Sequence, residues 1–346
     1  MLDDLKFIHH RDGQDALGIA EKQYQQLLHS FDTANFHLPT TSYQNVVFAG
    51  MGGSALAALV AKVWPGCKVP YEVCRQYVAP GYVSAGTLFI AGSYSGNTEE
   101  TLAALADAEA KGAQIAVIAG GGKLKEIAVQ KNYPFLVLPD TSQPRYSVMA
   151  GLKALTLLLE TANLTAQTRT AEAMGQAAGF LQHSSGAWLP AVPSSQNPAK
   201  KLALELAGKS PVVYAGPLLA TAAYKWKISF NENAKNVAWW NELPEFDHNE
   251  LIGWSSHPTS KPYEVIELRS NLEHPRVQKR FAIGEKVLSG LRPAPNVVQV
   301  QGDNPLEQLL WAINFGDFVS IYLALLNNVN PTPVELVEKF KSELNT

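Results

Sequence analysis

Short runs of branched and aromatic residues recur along the chain, each closing on small residues and followed by a stretch with helical spacing. Val46-Val47-Phe48-Ala49-Gly50 predicts a strand, Met51-Gly52-Gly53-Ser54 a turn, and Ala55 to Trp64 a helix. Pro70 to Cys74, Thr87 to Gly92, Gln114 to Ala119 and Phe135 to Leu138 repeat the strand signature, and Lys123 to Lys131 reads as a helix after Gly120-Gly121-Gly122. Strands and helices joined by short loops predict an α/β fold built on a doubly wound parallel sheet.

The pattern then repeats. Apolar helices are predicted over Met149 to Leu159 and Ala171 to Leu181, and prolines at 190, 193 and 198 punctuate a linker from Ala191 to Asn197. Beyond it, Pro211-Val212-Val213-Tyr214-Ala215-Gly216 echoes residues 46–50 and leads into a helix over Leu219 to Phe230. Gly216-Pro217-Leu218 lacks the paired glycines and serine, so the second copy is expected to keep the scaffold without the phosphate-binding turn. Further strands are predicted over Val265 to Leu268 and Val297 to Val300, and a long apolar helix over Pro305 to Leu326. The expected organisation is a helical lead-in over 1–40, a first domain over 41–190, a second over 191–330 and a C-terminal helix within 331–346.

Composition narrows the class. A chain of 346 residues exceeds what one core usually holds, which agrees with two domains. Net charge is −3 and no dense basic run occurs, so a general nucleic-acid partner is not expected. Cys67 and Cys74 lie beside apolar residues without a CxxC pair and read as buried thiols of a reducing compartment. The N-terminus carries acids and no apolar h-region, and no apolar run is taken to approach a membrane span, so a cytoplasmic location without membrane contact is expected.

Two stretches carry candidate chemistry. A strand running through Gly52 and Gly53 into a helix exposes backbone N–H groups at the positive end of the helix dipole, which suits a phosphate. The GxGxxG spacing and the Walker lysine are both absent. Ser93, Ser95 and Thr98 place three hydroxyls at a second strand-to-helix turn; a phosphate loop and an ordinary capped turn fit them equally. Gln143-Pro144-Arg145 adds one planar cation, read as a surface ion pair or as a ligand-facing group. The other stretch, Ser229 to Asn249, crowds Glu232, His248, amides, Trp239 and Trp240. A carboxylate and an imidazole are readily tuned to move protons near neutral pH, although composition alone favours plain surface roles for both. The tryptophans, with Phe246, read as shelter for such chemistry or as packing.

Together, GMGGS (50–54), SYSGNTEET (93–101), QPR (143–145), FNENAKN (230–236), LPEFDHNE (243–250) and the NPTP tail (330–333) resemble the bifunctional phosphoglucose/phosphomannose isomerases of the sugar isomerase (SIS) superfamily. SYSGNT alone marks an SIS domain, and NENAK with PExxHN is the more discriminating pair. The resemblance implies two SIS-type doubly wound domains, each with a parallel sheet flanked by helices. It implies a metal-free, cofactor-free interconversion of glucose 6-phosphate, and mannose 6-phosphate, with fructose 6-phosphate through a cis-enediol. On that pattern Gly52, Gly53, Ser54, Ser93, Ser95 and Thr98 hold the 6-phosphate, Glu232 is the base and Arg145 steadies the enediolate. His248 of the partner subunit in a homodimer, together with Lys341 or alternatively Lys339, helps open the sugar ring. The family threonine near the tail matches Thr332 only with a gap. A non-catalytic SIS sugar-phosphate sensor and an SIS isomerase for another sugar phosphate are the competing expectations.

Overall fold

The continuous Val-Val-Phe-Ala run is the composition of a strand covered on both faces, and it forms β1 (Asn45–Ala49), whose residues from Val46 onward are buried. The computed structural model describes residues 1–34, 36–39, 42–256 and 262–344. They form two compact units, one of residues 22–179 and one of residues 1–21 with 180–346. The second unit therefore starts inside the helix Thr170–Ser185, ahead of the proline-rich stretch, and includes the first two helices, Leu5–Arg11 and Ala16–Glu21.

In the unit of residues 22–179, β2 (Tyr71–Cys74), β3 (Thr87–Ser93), β4 (Gln114–Ala119) and β5 (Phe135–Val137) join β1 in a sheet of order β2-β1-β3-β4-β5, parallel throughout. The order reverses direction between β1 and β3, which leaves a crevice beyond their carboxyl ends. Two turns open into that crevice, and both feed helices: Gly52–Val63 after β1 and Glu99–Ala110 after β3. The first of these helices starts earlier than the sequence spacing suggests. Gly52 and Gly53 form its first turn, and Met51 is an extended N-cap whose side chain makes no capping bond.

The other unit repeats the winding. β6 (Ser210–Ala215), β7 (Trp239–Glu242), β8 (Tyr263–Arg269) and β9 (Asn296–Gln299) form a parallel sheet of order β7-β6-β8-β9, the same order as the first four strands of the other unit. The echo between residues 46–50 and 211–216 thus marks equivalent central strands. β7 falls on the tryptophan pair, a stretch whose charged flanks hid it from the strand pattern, and the helix Pro275–Val287 was equally unmarked by apolar spacing. A helix over Pro198–Leu206 also stands at the end of the expected linker. Its Asn197 N-cap accepts N–H bonds from Ala199 and Lys200, both at 3.0 Å, with proline in the first turn.

The long helix Pro305–Leu326 is buried at Leu306 and from Gln308 to Leu325. Contrary to the expectation that no run approaches a membrane span, its length and mean hydropathy meet that criterion, yet 94% of the window lies inside the protein. Its polar residues have protein partners: Asn314 donates to Ala20 O at 2.8 Å, and Asp317 pairs with Lys225. Trp226 fills the groove at Gly316, where a Cβ would lie 2.3 Å from the indole Nε1, and that nitrogen donates to Ala312 O at 2.8 Å. An indole buried to this degree removes on the order of 200 Å² from water, or about 5 kcal/mol of transfer free energy. This interface seats the helix Ala220–Glu232, which ends on the candidate base. Cys74 is buried and Cys67 half-buried, both are free, and burial pushes both thiols up.

Candidate active site

The crevice of the unit 22–179 gathers most of the predicted phosphate ligands. Ser54 Oγ accepts the N–H of Tyr94 at 2.9 Å and ties the glycine turn to the hydroxyl loop. Within that loop Ser93 Oγ lies 2.8 Å from Thr98 Oγ1 and 3.4 Å from Ser95 Oγ, and it also accepts the N–H of Gly96 at 3.1 Å. Thr98 is the extended N-cap of the helix Glu99–Ala110, but its hydroxyl is turned to Ser93 and makes no capping bond. The amides of that first turn are left without the usual side-chain acceptor, the arrangement that favours an external anion.

The loop is held rigidly from behind. Gly96 has φ +70°, and a Cβ there would stand 1.7 Å from Gly121 O, so only glycine fits. Asn97 Oδ1 accepts the N–H of Lys123 at 3.0 Å. Tyr94 reaches the segment before the arginine turn: its hydroxyl donates to Asp140 Oδ1 at 2.8 Å and accepts the N–H of Thr141 at 2.7 Å. Asp140 is held below the usual carboxylate range, chiefly by the Ser142 N–H and then by that phenol, and burial pushes the Tyr94 hydroxyl up. Tyr94 sits inside the motif, yet no role could be assigned to it before the fold was known.

Arg145 is not on the surface. It is 1% exposed, its Nη1 donates to Gln143 Oε1 at 3.3 Å, and its guanidinium stacks 4.8 Å from the centre of the Tyr146 ring. Gly53 packs directly on this turn, since a Cβ would meet Pro144 C at 2.6 Å and Arg145 N at 2.8 Å. Ser95 and Thr98 are therefore both hydrogen-bonded to Ser93, Ser54 is tied to their loop through the Tyr94 N–H, and Gly53 packs on the Arg145 turn.

In the other unit Glu232 is the last residue of its helix and is half-buried. It lines an open cleft of about 480 Å³ with Lys235, Asn330, Val334 and Leu336, a size suited to a small phosphorylated sugar. Lys235, quoted in the motif but given no role, has φ +51° and acts as a clasp. Its Nζ donates to Glu232 O at 2.8 Å and to Asn330 O at 2.7 Å, closing the helix end and the turn before the last helix together. Beneath it Asn233 Nδ2 donates to Ser320 Oγ at 2.9 Å, and Asn327 Nδ2 donates to Ala234 O at 3.0 Å.

The remaining predicted residues lie outside that cleft. His248 ends the short 3-10 helix Glu245–His248 and is exposed. Lys339 and Lys341 are exposed on the helix Glu335–Leu344. Trp239, Trp240 and Phe246 do not line the cleft either: Phe246 packs on Tyr214 in the core, Trp240 on Tyr224 and Trp239 on Tyr263. Among the described residues no group of three or more His, Cys, Asp and Glu side chains is placed to hold a metal ion.

A family model described as "Bacterial phospho-glucose isomerase C-terminal SIS domain" matches residues 195–344. A bifunctional phosphoglucose/phosphomannose isomerase of Caldicellulosiruptor bescii is 36% identical over 304 residues, covering 86% of this chain and 89% of that one. A D-glucosamine-6-phosphate 4-epimerase of Sulfolobus acidocaldarius is 34% identical over 224 residues, covering 64% of this chain and 68% of its own. Among solved structures, a glucose-6-phosphate isomerase like protein from Thermus thermophilus shares the fold with a TM-score of 0.65 at 19% identity, over 99% of this chain and 98% of that one.

Proposed function

Because this chain belongs to the bifunctional phosphoglucose/phosphomannose isomerase family, we propose that it interconverts glucose 6-phosphate and mannose 6-phosphate with fructose 6-phosphate. The observation that carries the reading is half-buried Glu232 lining an open cleft of about 480 Å³, with its backbone carbonyl held by Lys235. Proton abstraction next to a carbonyl needs a positioned carboxylate, a stabiliser for the developing oxyanion and shelter from water.

The roles follow from that chemistry. The hydroxyl loop and the glycine turn bind the 6-phosphate through Ser93, Ser95, Thr98 and the amides of the two helix starts. Glu232 takes the proton from C2 of the open-chain aldose, leaving a cis-enediol, and returns it to C1 to give the ketose. Arg145, a permanent cation, offsets the charge on the enediolate oxygen. Ring opening moves a proton from the anomeric hydroxyl to the ring oxygen. We assign that step to His248 of the partner subunit in a homodimer and to a lysine of the last helix. Lys339 lies three residues after Leu336 and Lys341 four residues after Val337, and since Leu336 and Val337 both line the cleft, each lysine shares a helix face with a cleft residue. Lys341 therefore keeps the step on its sequence distance from the Asn330-Pro331 turn, with Lys339 as the alternative.

The test is incubation with fructose 6-phosphate and a chelator in deuterated water. Glucose and mannose 6-phosphates labelled at C2 are expected, and loss of label incorporation in Glu232→Gln with phosphate-ligand binding retained. Unchanged turnover in that variant removes the assigned base. The epimerase relative motivates a parallel incubation with glucosamine 6-phosphate. Inversion at C4 there, with no label from fructose 6-phosphate, replaces the isomerase reading.

A further inference from the structure

The two units wind their strands alike, so each place in one sheet has a counterpart in the other. The phosphate crevice beyond β1 and β3 corresponds to the space beyond β6 and β8. There the chain fills the crevice itself. After β8, Ser270 to His274 lead into the helix Pro275–Val287, as Ser93 to Thr98 lead into Glu99–Ala110. Glu273, one residue before the His274 N-cap, turns its carboxylate toward the loop after β6.

Its Oε1 accepts the N–H of Leu218 at 2.7 Å, next to Leu219, the N-cap of the helix Ala220–Glu232. Gly216 makes the room: a Cβ there would stand 2.3 Å from the same oxygen. Glu273 is 7% exposed, and among the described residues no cationic side chain forms an ion pair with it. Burial raises its carboxyl above the ordinary range, outweighing N–H bonds from Leu218, Leu219 and His274. A buried carboxylate seated on backbone donors at the start of a helix stands at the position that matches, in strand order, the proposed phosphate crevice of the sister unit.

We propose that the C-terminal unit keeps a second oxyanion cradle, plugged by the Glu273 carboxylate, and that removing the plug opens it to inorganic phosphate. The plug explains how a duplicated scaffold presents one phosphate site per chain. It does not depend on the reaction catalysed, and the readout below is stability, so its failure leaves the isomerase reading standing.

The experiment compares thermal denaturation of the full chain in phosphate and in chloride at equal ionic strength, for the wild type, Glu273→Ala, Glu273→Ser and Glu273→Gln. Phosphate bound in the first unit raises all four alike. Glu273→Ala and Glu273→Ser are expected to gain more than the wild type, by roughly 3–6 °C when phosphate stands about tenfold above its Kd. Glu273→Gln keeps the plug's volume and is expected to gain no more than the wild type. Equal gains in all four proteins overturn the proposal, as does a gain in Glu273→Gln matching the vacated variants. If Glu273→Ala fails to fold in chloride, Glu273→Ser carries the same requirement.

Discussion

Asp317→Ala should be among the most destabilising single changes in the chain. The Asp317 carboxylate and the Lys225 ammonium pair with both side chains fully buried, and Ser229 Oγ completes the group, 2.6 Å from Lys225 Nζ and 2.9 Å from Asp317 Oδ1. Truncating the aspartate leaves a desolvated cation with one hydroxyl for company. Breaking a buried pair in this way costs about 3–5 kcal/mol. For a unit of this size that lowers Tm by roughly 6–20 °C. The assay is thermal unfolding followed by tryptophan fluorescence, since Trp226 lies beside the pair on the same helix. Lys225→Met combined with Asp317→Leu removes both charges and is expected at or above wild-type stability, because neither desolvation penalty then remains. A Tm for Asp317→Ala within about 2 °C of the wild type refutes the reasoning, since only a hydrated pair is that cheap to break.

Three further outcomes follow from the site. Gly53→Ala forces a methyl into the Pro144–Arg145 backbone and should raise KM for the phosphorylated sugar at least about tenfold, a change of about 1.4 kcal/mol, with the fold retained by circular dichroism; an unchanged KM refutes the packing argument. Lys341→Met should lower kcat on substrate presented as the closed ring while Lys339→Met stays near wild type, and the opposite order moves the role to Lys339. Asp140 has a depressed folded pKa, so its contribution is present above the ordinary aspartate value of about 3.9 and is lost as pH falls through the folded value. The Tm advantage of wild type over Asp140→Asn at neutral pH should therefore vanish on acidification, and a constant gap contradicts it.

The strands were legible where they are buried on both faces, because Val46 to Ala49 and Val212 to Ala215 then read as unbroken apolar runs. β7 was not, since Trp239-Trp240-Asn241-Glu242 lies at a sheet edge where half-exposed polar residues are tolerated. The hydroxyl and glycine turns were legible as helix starts, and both helices begin without a side-chain capping bond. The spacing left Arg145 open between a surface ion pair and a ligand-facing group, and burial removes the first, because Gln143 and Tyr146 fold around it in a way no spacing encodes. Lys235 and Glu273 were invisible for a related reason: each acts through backbone groups distant in sequence, Asn330 for one and Leu218 for the other.

The Lys235 ammonium grips carbonyls from two separate stretches of chain at once. Whatever displaces the last helix therefore tugs on the peptide that carries the candidate base. The turn ahead of the last helix and the peptide of Glu232 are thereby pinned at one ammonium.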